Sequence, residues 1–235
     1  MAREAIILAG GLGTRLRSVV PDLPKPMAQV VDQPFLHYVF RYLRHFKVER
    51  AILSVGYRHE PILEFLGNRY LDIAVEYAVE ETPLGTGGGI RLALNKVVAD
   101  AALVLNGDTF FDVDLDAFYR VFWENKADVA LALRSIPRPD RFGTVSFDAD
   151  YRITAFREKE VGLAQGYING GVYLFRPSVM EEMGLPEKFS IEQDFFEPKV
   201  NQLRCWAYPD EGYFIDIGIP EEYQRANDEF AGFRY

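Results

Sequence analysis

The sequence lacks the ingredients of several protein classes. It holds one cysteine, Cys205, in 235 residues, which excludes an internal disulfide and a cysteine-rich zinc site. Cys205 itself reads as a small buried residue. Only three histidines are present, His37, His45 and His59, with no metal-ligand spacing, and no Ser/His/Asp arrangement is evident. No apolar run approaches the ~20 residues that span a bilayer. No signal-peptide pattern precedes the first apolar stretch, so the protein reads as soluble and cytoplasmic. Positive charge is short as well: 26 Lys and Arg against 35 Asp and Glu give a formal net charge of −9. Without a basic block, nucleic acid and anionic membrane are poor candidates for the main partner.

What is present suits a packed α/β domain. Residues 49% hydrophobic over this length can build a sizeable core. Ala5 to Ala9, Ala51 to Val55, Ile73 to Val79, Ala101 to Leu105 and Val129 to Leu133 read as strands. Helical patterns lie between them at Phe35 to Phe46, Pro61 to Leu66, Ile90 to Val98 and Leu115 to Asn125. This alternation indicates a Rossmann-like mixed, mainly parallel sheet flanked by helices, with ligands gathered beyond the C-terminal strand ends. The second half is richer in β patterns: a hairpin of Val145 to Phe147 with Ile153 to Phe156, a strand from Tyr167 to Phe175, and another near Tyr213 to Ile217. Ser190 to Gln193 resembles a capping box opening a helix, and a last helix starts at Pro220.

Three glycines, Gly10, Gly11 and Gly13, follow the first strand within Leu8-Ala9-Gly10-Gly11-Leu12-Gly13-Thr14-Arg15-Leu16. Such a turn can aim several backbone N–H groups at an anion, and Arg15 adds a forked cation for phosphate oxygens. It is not a Walker loop, because no Gly-Lys-Ser/Thr follows. It lacks the third glycine of a dinucleotide fingerprint, so an oxidoreductase reading fits poorly. Ten residues on, prolines on both sides of Lys25 fix its backbone and lower the entropy cost of holding its ammonium in one direction.

Together these segments resemble the sugar-phosphate nucleotidyltransferase family, whose signature L-A-G-G-x-G-T-R-L is followed by P-K-P. The resemblance continues through Pro83-Leu84-Gly85-Thr86-Gly87-Gly88, Asn106-Gly107-Asp108, Glu158-Lys159, Asn169-Gly170-Gly171 and Asp216-Ile217-Gly218. It implies a nucleotide-diphospho-sugar transferase fold with a small β-rich sugar-binding insertion. It also implies one domain over 1–235, with 1–133 mainly nucleotide-binding and 134–235 mainly sugar-phosphate-binding. The implied reaction is attack of a sugar 1-phosphate oxygen on the α-phosphorus of a nucleoside triphosphate, assisted by Mg²⁺.

Under the same resemblance, Arg15 and Lys25 are catalytic and hold the triphosphate. Leu8, Ala9, Gly10, Gly11, Gly13, Thr14, Glu80, Gly85, Thr86, Asn106 and Gly107 bind the nucleotide. Gly143, Glu158, Lys159, Asn169 and Gly170 bind the sugar phosphate, and Asp108 and Asp216 hold the metal. Taken singly some have plainer readings: Asp108 as part of an Asn-Gly-Asp turn, and Glu158-Lys159 as a solvated charged loop. A sensor descended from the family would be expected to lose a metal aspartate or Lys25, and both aspartates and Lys25 are present.

Glu80 bears on the base. Uridylyl- and thymidylyl-type relatives usually carry glutamine at the matching position, whose amide both donates and accepts. An ionised carboxylate only accepts, and guanine's N1–H and 2-amino group are paired donors, so the expected triphosphate is GTP. The alternative is a surface acid beside Glu81. Thr109-Phe110-Phe111-Asp112 and Ile217-Gly218-Ile219-Pro220 are most similar to D-glycero-α-D-manno-heptose-1-phosphate guanylyltransferases. Mannose-1-phosphate guanylyltransferases and muramate-type uridylyltransferases remain alternatives. A stand-alone transferase, and a homodimer as in short relatives, are expected.

Overall fold

In a computed structural model of the chain the described residues are 3–11, 16, 19–56, 58–140, 142–157 and 162–235. The strands are β1 (Arg3–Leu8), β2 (Gln29–Val30), β3 (Gln33–Pro34), β4 (Val48–Val55), β5 (Arg69–Tyr70), β6 (Ile73–Val79) and β7 (Ala102–Asn106). They continue as β8 (Thr109–Phe111), β9 (Val129–Pro137), β10 (Thr144–Phe147), β11 (Ile153–Arg157), β12 (Gln165–Phe175), β13 (Cys205–Pro209) and β14 (Phe214–Asp216). The principal helices are α1 (Phe35–His45), α2 (Glu60–Leu66), α3 (Gly85–Leu94), α4 (Leu115–Glu124) and a C-terminal helix over Pro220–Glu229.

β7, β1, β4 and β6 lie side by side and parallel. Alternate residues of β1 enter opposite layers. Ala5 and Ile7 pack with α1 and α4 residues such as Phe35 and Phe118, whereas Ile6 packs with Ile90 and Ala93 of α3. All three β1 side chains are fully buried, which for each isoleucine contributes about 1.5–3 kcal/mol. Burial on both faces is why the run is continuously apolar. α1 begins after Pro34, as expected, and buries Phe35, Leu36, Tyr38, Val39, Phe40, Tyr42 and Leu43. α4 is capped by Asp114, whose carboxylate accepts from Ala117 N.

β12 carries the β-rich half onto the same sheet. Its C-terminal half pairs antiparallel with β7, its length with β9, and Ile168 with Thr144 of β10. β12 therefore exchanges β10 for β7 along one edge at Asn169-Gly170-Gly171, and the register with β9 breaks at the same place. Gly171 has φ +72°, and a Cβ there would lie 2.7 Å from Asn106 Nδ2. These glycines open a fork in the sheet.

Two elements depart from expectation. α3 starts at Gly85, not Ile90, so the glycine run is helical despite a propensity cost of ~1 kcal/mol per glycine. The compensation is packing: a Cβ on Gly87 would sit 2.1 Å from the Phe189 ring, and Gly87 N donates to Phe189 O. The segment opened by Ser190 is a π-helical turn, Ile191–Phe196. Ser190 Oγ accepts from Gln193 N as expected, but the reciprocal acceptor for Ser190 N is Asp194, one residue later than in a capping box.

Candidate active site

The parallel strands end together, and backbone hydrogen bonds carry their ladder past the ends. Ala9 N donates to Ser54 O, Glu80 N to Val55 O, and Gly107 N to Leu8 O. The loops after β1, β6 and β7 are thereby fixed around one cavity of about 460 Å³. The fork of β12 forms its other wall.

Among the residues expected to bind a nucleotide, Leu8, Ala9, Gly10, Gly11, Glu80, Gly85, Thr86 and Asn106 line this cavity. Gly107 does not; it packs behind the wall, where a Cβ would approach Leu8 O to 2.5 Å. Glu80 is half-buried and tied at both oxygens: Ser54 Oγ donates to Oε1 at 3.1 Å and Leu84 N to Oε2 at 3.0 Å. Glu80 is thus tethered in the cavity wall, while the neighbouring Glu81 is exposed. Gly10 allows this placement, since a Cβ there would meet Glu80 Oε1 at 3.1 Å. Thr86 Oγ1 accepts from Ile191 N, tying the start of α3 to the π-helical turn.

The charged end of the cavity joins Lys25, Asp108 and Asp216. Lys25 opens a short 3₁₀ turn, Lys25–Met27, whose prolines Pro24 and Pro26 are buried, so the expected rigid mount is present. Its ammonium meets Asp108 Oδ2 at 2.7 Å. β8 pairs with β14 so that Thr109 faces Asp216, and Ile217 N donates to Asp108 O. Asp108, just before β8, and Asp216, the last residue of β14, thus lie side by side. Gly218 N donates to Asp216 Oδ1, and a Cβ on Gly218 would crowd both that oxygen and Lys25 Nζ.

Two hard-oxygen side chains without histidine or cysteine are a poor zinc site. They suit a cation such as Mg²⁺, which takes one or two carboxylates and completes its shell with phosphates and water. Among the described residues no group of three or more His, Cys, Asp or Glu side chains could hold a metal alone. The donor set therefore fits a cation held jointly with substrate.

At the fork, Gly143, Asn169 and Gly170 line the cavity as expected. Asn169 Nδ2 donates to the Tyr173 hydroxyl at 2.7 Å and to Glu192 Oε1 at 2.9 Å, while its Oδ1 accepts from Gly171 N. Burial drives the Tyr173 hydroxyl well above its ordinary pKa, with the Glu192 charge adding to it. It is a neutral partner at any working pH. Gly13, Thr14, Arg15, Glu158 and Lys159 lie outside the described residues.

Sequence reasoning missed several cavity residues, among them Ser54, Thr109, Phe142, Phe214 and Glu192. Glu192 sat inside the Ser190–Gln193 pattern, but which way it faces depends on the π-helical turn, for which the pattern holds no signal. Cys205 is fully buried, as expected.

Residues 4–231 match the nucleotidyl transferase family, and the chain belongs to it. Two relatives resemble it over nearly their whole length. It is 47% identical over 230 residues to the D-glycero-α-D-manno-heptose 1-phosphate guanylyltransferase of Aneurinibacillus thermoaerophilus, covering 98% of this chain and 99% of that one. It is 44% identical to the enzyme of the same name from Campylobacter jejuni subsp. jejuni serotype O:2, covering 94% and 96%. Among solved structures it is similar to HddC from Yersinia pseudotuberculosis complexed with GMP-PN. That likeness has a TM-score of 0.85 at 36% identity, covering 97% of this chain and 99% of that one. The expected family and its α/β fold are thereby borne out. No helix of the described residues is long and apolar enough to cross a membrane.

Proposed function

We propose that the chain transfers a guanylyl group from GTP to D-glycero-α-D-manno-heptose 1-phosphate, forming the GDP-heptose and pyrophosphate. The observation that carries the choice of base is Glu80, a carboxylate tethered by Ser54 and Leu84 N in the cavity wall. Each of its oxygens retains acceptor capacity beyond those bonds, and two acceptors side by side match guanine's N1–H and 2-amino donors. The full-length similarity to two heptose 1-phosphate guanylyltransferases supports the sugar.

In this reading residues 1–133 supply most of the nucleotide side and 134–235 most of the sugar-phosphate side. A phosphate oxygen of the sugar phosphate attacks the α-phosphorus, the bond from that phosphorus to the bridging oxygen breaks, and pyrophosphate leaves with the electron pair. No protein nucleophile is needed; positioning and electrostatics lower the barrier. Lys25, with Arg15, holds the triphosphate and offsets the charge on the leaving pyrophosphate. Leu8 to Gly11, with Gly13 and Thr14, cradle the phosphates and nucleoside, with Gly85, Thr86 and Asn106 closing around them; Gly107 keeps that turn tight.

Lys159 takes the phosphate of the sugar phosphate and orients its attacking oxygen. Glu158, Asn169 and the backbone at Gly143 and Gly170 read sugar hydroxyls. Asn169 is already locked by Tyr173 and Glu192, as preorganised recognition requires. Glu192 adds a second carboxylate at the sugar end. Asp108 and Asp216 are the side chains that would hold Mg²⁺, which when bound neutralises triphosphate oxygens. The reading places the enzyme in the cytoplasm, where nucleoside triphosphates are available.

Pyrophosphate release tests it, with Mg²⁺ and with GTP, ATP, CTP, UTP and dTTP crossed against the heptose, mannose and N-acetylmuramate 1-phosphates. Release with GTP and the heptose phosphate above all other pairs is expected. A preference for UTP or for mannose 1-phosphate overturns the specificity, and silence across all pairs favours a sugar-nucleotide sensor.

A further inference from the structure

The two aspartates of the charged end stand on a weak piece of structure. β8 and β14 are three residues long, and each pairs with no other strand among the described residues. A two-stranded pair of this kind is marginal by itself in water, so what packs on it must fix its geometry.

Successive side chains of a strand face opposite ways, and Phe110 and Phe111 show what each face meets. Phe111 turns toward the cavity floor, where a Cβ on Gly170 would lie 2.4 Å from its ring. Phe110 turns outward into rings from the C-terminal segment: Phe233 at 5.2 Å between centroids, Phe230 at 5.8 Å and Tyr235 at 6.4 Å. Tyr42 of α1 braces the same group, 5.3 Å from both Phe110 and Tyr235.

The far end of β8 is gripped directly. The Tyr235 hydroxyl donates to Asp112 Oδ1 and Arg234 Nη2 to Asp112 Oδ2. The Asp112 side chain is only 10% exposed, whereas that of Arg234 is 70% exposed. Asp112 N donates to Tyr213 O, and a Cβ on Gly212 would come within 1.9 Å of Asp112 O. Both strands therefore cross closely beside the latch, and neither can shift without the other. Asp108 lies four residues before Asp112, about 13 Å along an extended strand.

We propose that the segment Phe230–Tyr235, latched to Asp112 through Tyr235 and Arg234, positions the β8–β14 ribbon and so sets how tightly Asp108 and Asp216 hold a divalent cation. The inference rests on the assignment of those two aspartates made above. Tyr235, Arg234 and Asp112 are positioning residues: they act on the metal through the ribbon. Displacements of about 1 Å at a reacting centre can cost ~100-fold in rate, so a two-stranded ribbon needs such a clamp.

The test reads metal binding without turnover. Mn²⁺ binding to the full chain with GTP, and no sugar phosphate, is followed by electron paramagnetic resonance for the wild type, Tyr235→Phe and Asp112→Asn. Tyr235→Phe keeps the ring and removes only the hydroxyl; Arg234→Gln replaces it if it fails to fold. The Kd for Mn²⁺ should rise about three- to tenfold, below the ~10- to 100-fold typical when a direct outer-shell partner of a metal ligand is lost. Activity should recover as Mg²⁺ is raised, with KM for the sugar phosphate unchanged. A variant with a lower Tm but wild-type Mn²⁺ affinity overturns the proposal, because the latch is then only structural.

Asp108→Asn separates the two levels. If it also leaves Mn²⁺ binding intact, the aspartate assignment itself fails. If it abolishes binding while the latch variants bind normally, only the present inference fails.

Discussion

One cavity is held by two kinds of scaffold. On the nucleotide side, four parallel strands end at one level, and backbone hydrogen bonds from Ala9, Glu80 and Gly107 extend their ladder into the loops. On the opposite side, Asp108 and Asp216 flank a two-stranded ribbon held by aromatic packing and by the bonds to Asp112, and the fork at Asn169 depends on a break in register. The first scaffold is specified by hydrogen bonding between backbones buried on both faces. The second is specified by which side chains fit against which, so its geometry can shift with small changes in packing. Under the proposed function, the groups that would meet developing charge thus sit partly on the more adjustable scaffold, which is where distant residues can influence them.

That contrast can be broken most strongly at the carboxylates. Asp108→Asn or Asp216→Asn should lower kcat on the order of 10³-fold while Tm stays near the wild-type value, because neither side chain is core. Near-normal turnover from either variant, measured by pyrophosphate release, would remove the metal assignment. A smaller effect is expected at the fork. Glu192→Gln should raise KM for the sugar phosphate about three- to tenfold, in line with the ~0.5–1.5 kcal/mol of one ordinary hydrogen bond, and leave KM for GTP unchanged. A rise in KM for GTP instead would move Glu192 to the nucleotide side.

The smallest effect should fall away from the cavity. Asp128 ties the ends of β9, β12 and β13: Arg204 N and its guanidinium, and Arg176, donate to its carboxylate. Burial by itself would raise this carboxyl, but those bonds outweigh it and hold it down at about 2. A depressed pKa stabilises the fold at pH values above the unfolded pKa of ~3.9. That stabilisation fades as pH falls from about 4 toward 2. Asp128→Asn should therefore lose about 1–2 kcal/mol at pH 7, discounted for the half-exposed Arg204, and keep wild-type kcat. Chemical denaturation at pH 7 and near pH 2 checks this, and an equal difference at both would refute the linkage.

The same division explains what the sequence disclosed. The parallel strands, α1 and α4 were legible because burial on two faces or one leaves periodic apolar patterns. Lys25 was legible through its prolines. The start of α3 was not, since glycine reads as a helix breaker until Phe189, about 100 residues on, is seen packed against Gly87. The facing of Glu192 was hidden by a π-helical turn. The pairing of Thr109 with Asp216 joins residues far apart in the chain, and no local pattern encodes it. The family resemblance, by contrast, points to both aspartates without that pairing.

The choice of base is the claim closest to a single side chain, and kcat/KM for GTP against UTP, with the heptose 1-phosphate and for wild type beside Glu80→Gln, tests it most directly. A strong wild-type preference for GTP that falls by about 10- to 100-fold in Glu80→Gln is predicted, since an amide presents one acceptor and one donor to guanine's two donors. A Glu80→Gln enzyme that keeps the full GTP preference would contradict the account.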